Sequence, residues 1–160
     1  MRILAIDPGP VESAYVVIDS ATQGPVRVAK APNAEVLGML HADLPDLDFG
    51  AIEMVTSYGM AVGAEVFETC VWIGRFLQVS GDLLRRVPRR EVKLHLCEDS
   101  RAKDTNIRQA LVDRFAPGQP NHGKGTKADP GWFHGFHSDV WAAYALAVLV
   151  ADRQMGRERP

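Results

Sequence analysis

The sequence predicts a mixed α/β domain, built on a mixed five-stranded sheet with three antiparallel strands followed by parallel ones, flanked by helices. Three observations predict it. Short β-forming runs crowd the first thirty positions and are punctuated by Pro8-Gly9-Pro10 and Thr22-Gln23-Gly24, as in an antiparallel meander. Later strand-like runs are separated by segments with apolar residues every three or four positions, and such crossovers impose parallel pairing. The run that starts at Ser138 is apolar nearly all round, which marks a buried helix.

Taken in order, Met1–Asp7 (MRILAID) is a short apolar strand stopped by the Pro-Gly-Pro turn. Ala14–Asp19 and Pro25–Lys30 complete the meander. Asn33 is a suitable cap for a short helix through His41, with Val36, Leu37 and Leu40 on one face. Leu47–Glu53 (LDFGAIE) is a fourth strand. Ala61–Val79 carries Val62, Val66, Cys70, Ile73 and Leu77 at helical spacing. Val92–Cys97 (VKLHLC) alternates and is expected as the fifth strand. Lys103–Phe115 and Ser138–Arg153 are the last helices, the second capped by Ser138. The Gly-, Pro- and Lys-rich stretch 116–137 is expected as an inserted flexible basic loop in a single domain spanning residues 1–160.

Composition excludes several classes. A chain of 160 residues that is 46% hydrophobic and 24% charged can bury a full core and is neither disordered nor fibrous. Cys70 and Cys97 stand apart, which argues against a disulfide framework or a zinc site. Val140–Ala151, the longest apolar run, falls short of the roughly 20 residues of a membrane span. The N-terminus has no apolar signal core, so a cytoplasmic location is expected. The net charge of −2 argues on its face against a nucleic-acid binder. Its distribution argues the other way. Residues 1–71 carry three basic side chains and ten acids, residues 72–160 fifteen and ten. Arg85, Arg86, Arg89, Arg90 and Lys93 cluster around Pro88, and Arg101, Lys103, Arg108, Arg114, Lys124 and Lys127 follow. Such polarity fits a molecule that presents one face to phosphates.

Three acids stand at the ends of apolar elements: Asp7 and Glu53 close strands, and Asp139 opens the last helix. Each has an ordinary alternative, as a turn residue, a strand-end acid or a helix-dipole partner. Together they suit a different role. Sites in α/β sheets form at the carboxyl ends of strands, and converging carboxylates bind hard divalent cations.

These residues resemble the RuvC-type Holliday-junction resolvases, within the ribonuclease-H-like nuclease superfamily. ILAIDPGPVESAYVVID is similar to that family's first hairpin, AIEMV to its Glu-bearing strand, and VKLHLCEDSRAKDTNIRQALVDRF to its fifth strand, lysine-bearing loop and following helix. The helix containing Gly74 resembles one often used at the dimer interface, and HSDVWAAYALAVLV the final acid-bearing helix. The insertion GKGTKADPGWF looks more like phage-borne members than cellular ones.

The resemblance implies a ribonuclease-H-like fold and a homodimer that nicks four-way DNA symmetrically. It implies two Mg²⁺ ions per site, replaceable by Mn²⁺, held by Asp7, Glu53 and Asp139, with His137 a further candidate ligand. Lys103 matches a lysine near the scissile phosphate and Tyr58 an aromatic that opens the junction. Arg85, Arg86, Arg89, Arg90, Arg101, Arg108, Lys124 and Lys127 would hold the DNA backbone. The chain departs from the pattern once. Family members carry an acid or His followed by Asp three positions later, but Ala142 stands three after Asp139. Either the second slot is empty, as the following AAYALA favours, or Asp139 fills it and Phe136 occupies the first. Two alternatives therefore stay open: a nuclease for other branched DNA or RNA–DNA hybrids, and a catalytically impaired junction-binding protein.

Overall fold

A computed structural model describes residues 1–57, 59 and 61–156. Its strands are β1 (Arg2–Asp7), β2 (Glu12–Asp19), β3 (Pro25–Pro32), β4 (Phe49–Met54) and β5 (Leu84–Pro88). Its helices are α1 (Asn33–Asp43), α2 (Ala64–Ser80), α3 (Arg89–Cys97), α4 (Asp104–Phe115) and α5 (Val140–Gln154). The strands form one sheet in the order β3-β2-β1-β4-β5. β1 and β2 pair antiparallel, as do β2 and β3, whereas β4 runs parallel to both β1 and β5.

β1 is apolar on both faces because helices cover both. Ile3 and Ala5 enter the core under α3, α4 and α5, while Leu4 and Ile6 enter the core under α1 and α2. From Val140 to Leu149 every residue of α5 is buried, which accounts for its all-round apolar character.

The fifth strand is not VKLHLC. Those residues belong to α3, and the strand is the preceding LRRVP. At the sheet edge only Leu84 and Val87 of β5 are buried, while Arg85 and Arg86 face solvent. Charged side chains on an edge strand oppose pairing with other molecules, and they also erase the apolar signature. In VKLHLC, a six-residue alternation is too short to separate the two periods: Val92 is buried with Leu96 four positions on packed against the same core.

Two capping expectations also change. Pro32, not Asn33, is the N-cap of α1. The buried Asn33 side chain donates to the Gly9 carbonyl (2.9 Å) and accepts from Ser13 Oγ (2.6 Å), while Gly9 N–H donates to Ser13 Oγ (3.2 Å). A Cβ at Gly9 would sit 2.4 Å from the Glu12 carbonyl oxygen, so only glycine fits this turn. At α5 the N-cap is Asp139; Ser138 takes a positive φ of 42° just outside the helix.

Segment 116–137 has one 3₁₀ turn (Asn121–Gly123) and one β-bridge, Gly125–Pro130. Phe133 and Phe136 are buried and pack on Trp141 and Tyr144 of α5 with ring centroids 4.7–5.7 Å apart. Trp132 donates from Nε1 to Tyr144 Oη (2.9 Å). These contacts fix the segment's C-terminal half against α5.

The far end of α5 is held by a buried charge. Asp152 receives Arg114 through both oxygens (2.7 and 2.8 Å), Gln23 Nε2 (2.7 Å) and a contact from His95 Nε2 (2.7 Å). Burial drives its carboxyl upward, but these bonds, led by Arg114, outweigh it and hold the group below the usual carboxylate range.

Candidate active site

β1 and β4 are adjacent and parallel, so Asp7 and Glu53 emerge at the same edge of the sheet. α5 starts beside them with Asp139. All three acids line one open cleft of about 230 Å³, together with Arg89, Asp104, Ser138 and Ala142. The turn after Asp7 is tied by the hydrogen bonds among Gly9, Ser13 and Asn33.

Two cations meet these carboxylates. Arg89, the first residue of α3, donates from Nη1 to Glu53 (2.9 Å) and from Nη2 to Asp104 (2.6 Å). Lys30 reaches in from β3 and donates from Nζ to Asp139 Oδ2 (2.6 Å), a bond that pushes its own pKa up. Burial, followed by the neighbouring Glu53 charge, pushes the Asp7 carboxyl up to about 7 against the pull of Arg89; Asp139 and Asp104 add to the rise. Burial raises Glu53 as well, opposed by Arg89. Carboxylates in one cleft with only partial compensation produce this pattern.

Among the described residues, no three His, Cys, Asp or Glu side chains stand close enough to hold a metal ion as placed here; Arg89 and Lys30 take up three of the four carboxylates. The donor chemistry nonetheless fits a hard divalent cation: the cleft offers carboxylate oxygens and neither sulfur nor imidazole.

The remaining candidates scatter. His137 lies outside the cleft, in an adjoining groove of about 350 Å³ with Arg108, Lys124 and Thr105; the two share Asp104, Ser138 and Trp141. Arg108 stacks over the Trp141 ring at 4.8 Å, and its buried Nε has no hydrogen-bond partner. Lys103 is exposed at the start of α4, its N–H donating to Asn106 Oδ1 (2.9 Å). Arg85 lines a different cavity, with the first residues of β4 and the last of α5. Arg86, Arg90, Arg101 and Lys127 are exposed. Tyr58 lies outside the described residues. Sequence reasoning missed Lys30 and Asp104 and gave Arg89 to the DNA backbone, because a strand lysine and a helix-start acid carry no motif.

A sheet of three antiparallel strands continued by two parallel ones, in the order β3-β2-β1-β4-β5, is a ribonuclease-H-like fold. Within that class the fold is of the RuvC type. Two structures titled as Thermus thermophilus RuvC, one of them in complex with Holliday junction substrate, align over 100% of this chain and 99% of theirs. The TM-scores are 0.65 and 0.61, at 17% sequence identity. No protein-family model matches the sequence, and no curated protein does. No helix among the described residues is long and apolar enough to cross a membrane.

Proposed function

We propose that this chain is a metal-dependent endodeoxyribonuclease that resolves four-way DNA junctions by symmetric hydrolysis of phosphodiester bonds. The observation that carries the reading is the convergence of Asp7, Glu53 and Asp139 in one cleft that opens onto a cationic groove. The fold shared with RuvC supports it.

Asp7, Glu53 and Asp139 are the residues to hold Mg²⁺ or Mn²⁺. Bound there, divalent cations supply charge stabilisation to the scissile phosphate and activate water. Hydrolysis places a hydroxyl on phosphorus and a proton on the leaving 3′ oxygen. Lys103, exposed beside Asp104, offers positive charge to the phosphate. Arg108, Lys124 and His137 take phosphates next to the scissile one; contacts of this kind set position without reading sequence.

A four-way junction has two-fold symmetry, and a homodimer with one cleft per subunit matches it. Exposed Phe67 and Val71 on α2 offer an apolar surface for such pairing.

The test is cleavage in Mg²⁺ of a synthetic four-way junction beside flaps and RNA–DNA hybrids of the same sequence. Paired, symmetric nicks confined to the junction are the expected result. Preferential cleavage of flaps or hybrids would reassign the substrate.

A further inference from the structure

Ala142 lies one turn beyond Asp139 and lines the carboxylate cleft without a ligating atom. Another element reaches the same cleft. Asp104 opens α4, and its side chain is 79% exposed, yet it is fixed by the 2.6 Å bond from Arg89 Nη2 while Nη1 of the same guanidinium holds Glu53. Asp104 and Glu53 are therefore separated by the span of one planar cation.

We propose that Asp104 supplies the metal-binding cleft with the fourth carboxylate that α5 lacks at Ala142. The inference rests on the metal-dependent reading given above. An acid in the first turn of a helix is favoured by the helix dipole alone. That accounts for an acid at this position, but not for its sharing a guanidinium with Glu53, nor for its lining the same cleft as Ala142. With every group ionised, the four carboxylates exceed Lys30 and Arg89 by two negative charges, which a divalent cation offsets. Arg89 then acts as the cation that a metal ion displaces. It keeps Glu53 and Asp104 together as a single positive charge and gives way to a doubly charged ion.

The test is Mn²⁺ binding to the full chain without DNA, read from the electron paramagnetic resonance of free Mn²⁺. Asp104→Asn is expected to lose one bound ion or to weaken binding about tenfold or more, in the range of altered metal surroundings. Asp104→Glu should recover part of that loss. Asp113→Asn, at the other end of α4, should bind as wild type.

Arg89→Gln separates ligation from an indirect effect. Removal of a competing cation leaves Mn²⁺ binding unchanged or tighter. If Arg89→Gln instead reproduces the loss seen in Asp104→Asn, Asp104 acts only by orienting Arg89 and the inference is overturned. Wild-type binding in Asp104→Asn, with binding abolished in Asp7→Asn, overturns this inference alone. Full binding in Asp7→Asn, or none in wild type, overturns the metal-dependent reading beneath it.

Discussion

Replacing Asp7 by Asn should stabilise the metal-free protein while removing its activity. The Asp7 carboxyl stands near 7 in the fold against an ordinary 3.8, so the folded chain binds this proton more tightly than the unfolded chain. Stability from that proton is fully present below about pH 3.8 and is lost as pH rises toward 7. A displacement of roughly three pH units corresponds to about 4 kcal/mol. Water entry and relaxation around an open cleft reduce this to about 1–4 kcal/mol at pH 8. Asparagine has nearly the same shape and no charge, so the variant escapes the penalty. For a chain of this size the melting temperature should rise by about 3–12 °C in EDTA at pH 8. The assay is thermal unfolding of both proteins in EDTA between pH 4 and 8. A gain that shrinks toward pH 4 is expected. No gain at pH 8, or a gain independent of pH, would refute the reasoning.

Other elements give further expectations. Asp152→Ala leaves Arg114 without its buried partner and should cost about 3–5 kcal/mol in urea unfolding at pH 7, with no change at the distant cleft. Phe133→Ala opens a cavity against Trp141 and Tyr144 and should cost about 3–5 kcal/mol, releasing the 116–137 segment to limited proteolysis. Junction binding should weaken steeply with salt despite the mildly acidic composition. Arg108→Ala and Lys124→Ala should each lower the logarithmic salt slope by about one, as measured by electrophoretic mobility shift.

Much of this architecture was legible in the residues. The apolar strand ended by Asp7-Pro8-Gly9 and the similar strand ended by Glu53 announced themselves, because strands buried on both faces are continuously apolar and stop at polar turns. Asp139 was marked by the all-apolar helix behind it. β5 was not legible, because an edge strand with two exposed arginines has half the apolar content of a central one. Asp104 and Lys30 were not legible for a different reason. Their significance is purely spatial: one opens a helix as many acids do, the other alternates on β3, and only the folded sheet brings them to the cleft. Arg89 shows the same limit. Its place in a basic cluster suggested a phosphate contact, whereas its guanidinium bridges Glu53 and Asp104.

The central claim is that the carboxylates of this cleft cut four-way DNA. The most direct measurement is a nicking assay on a mobile four-way junction in Mg²⁺, with wild type, Asp7→Asn and Glu53→Gln compared at equal junction occupancy. The account predicts paired symmetric nicks by wild type and their loss in both variants, with junction binding retained. Wild-type inactivity in both Mg²⁺ and Mn²⁺, or undiminished nicking by either variant, would contradict it.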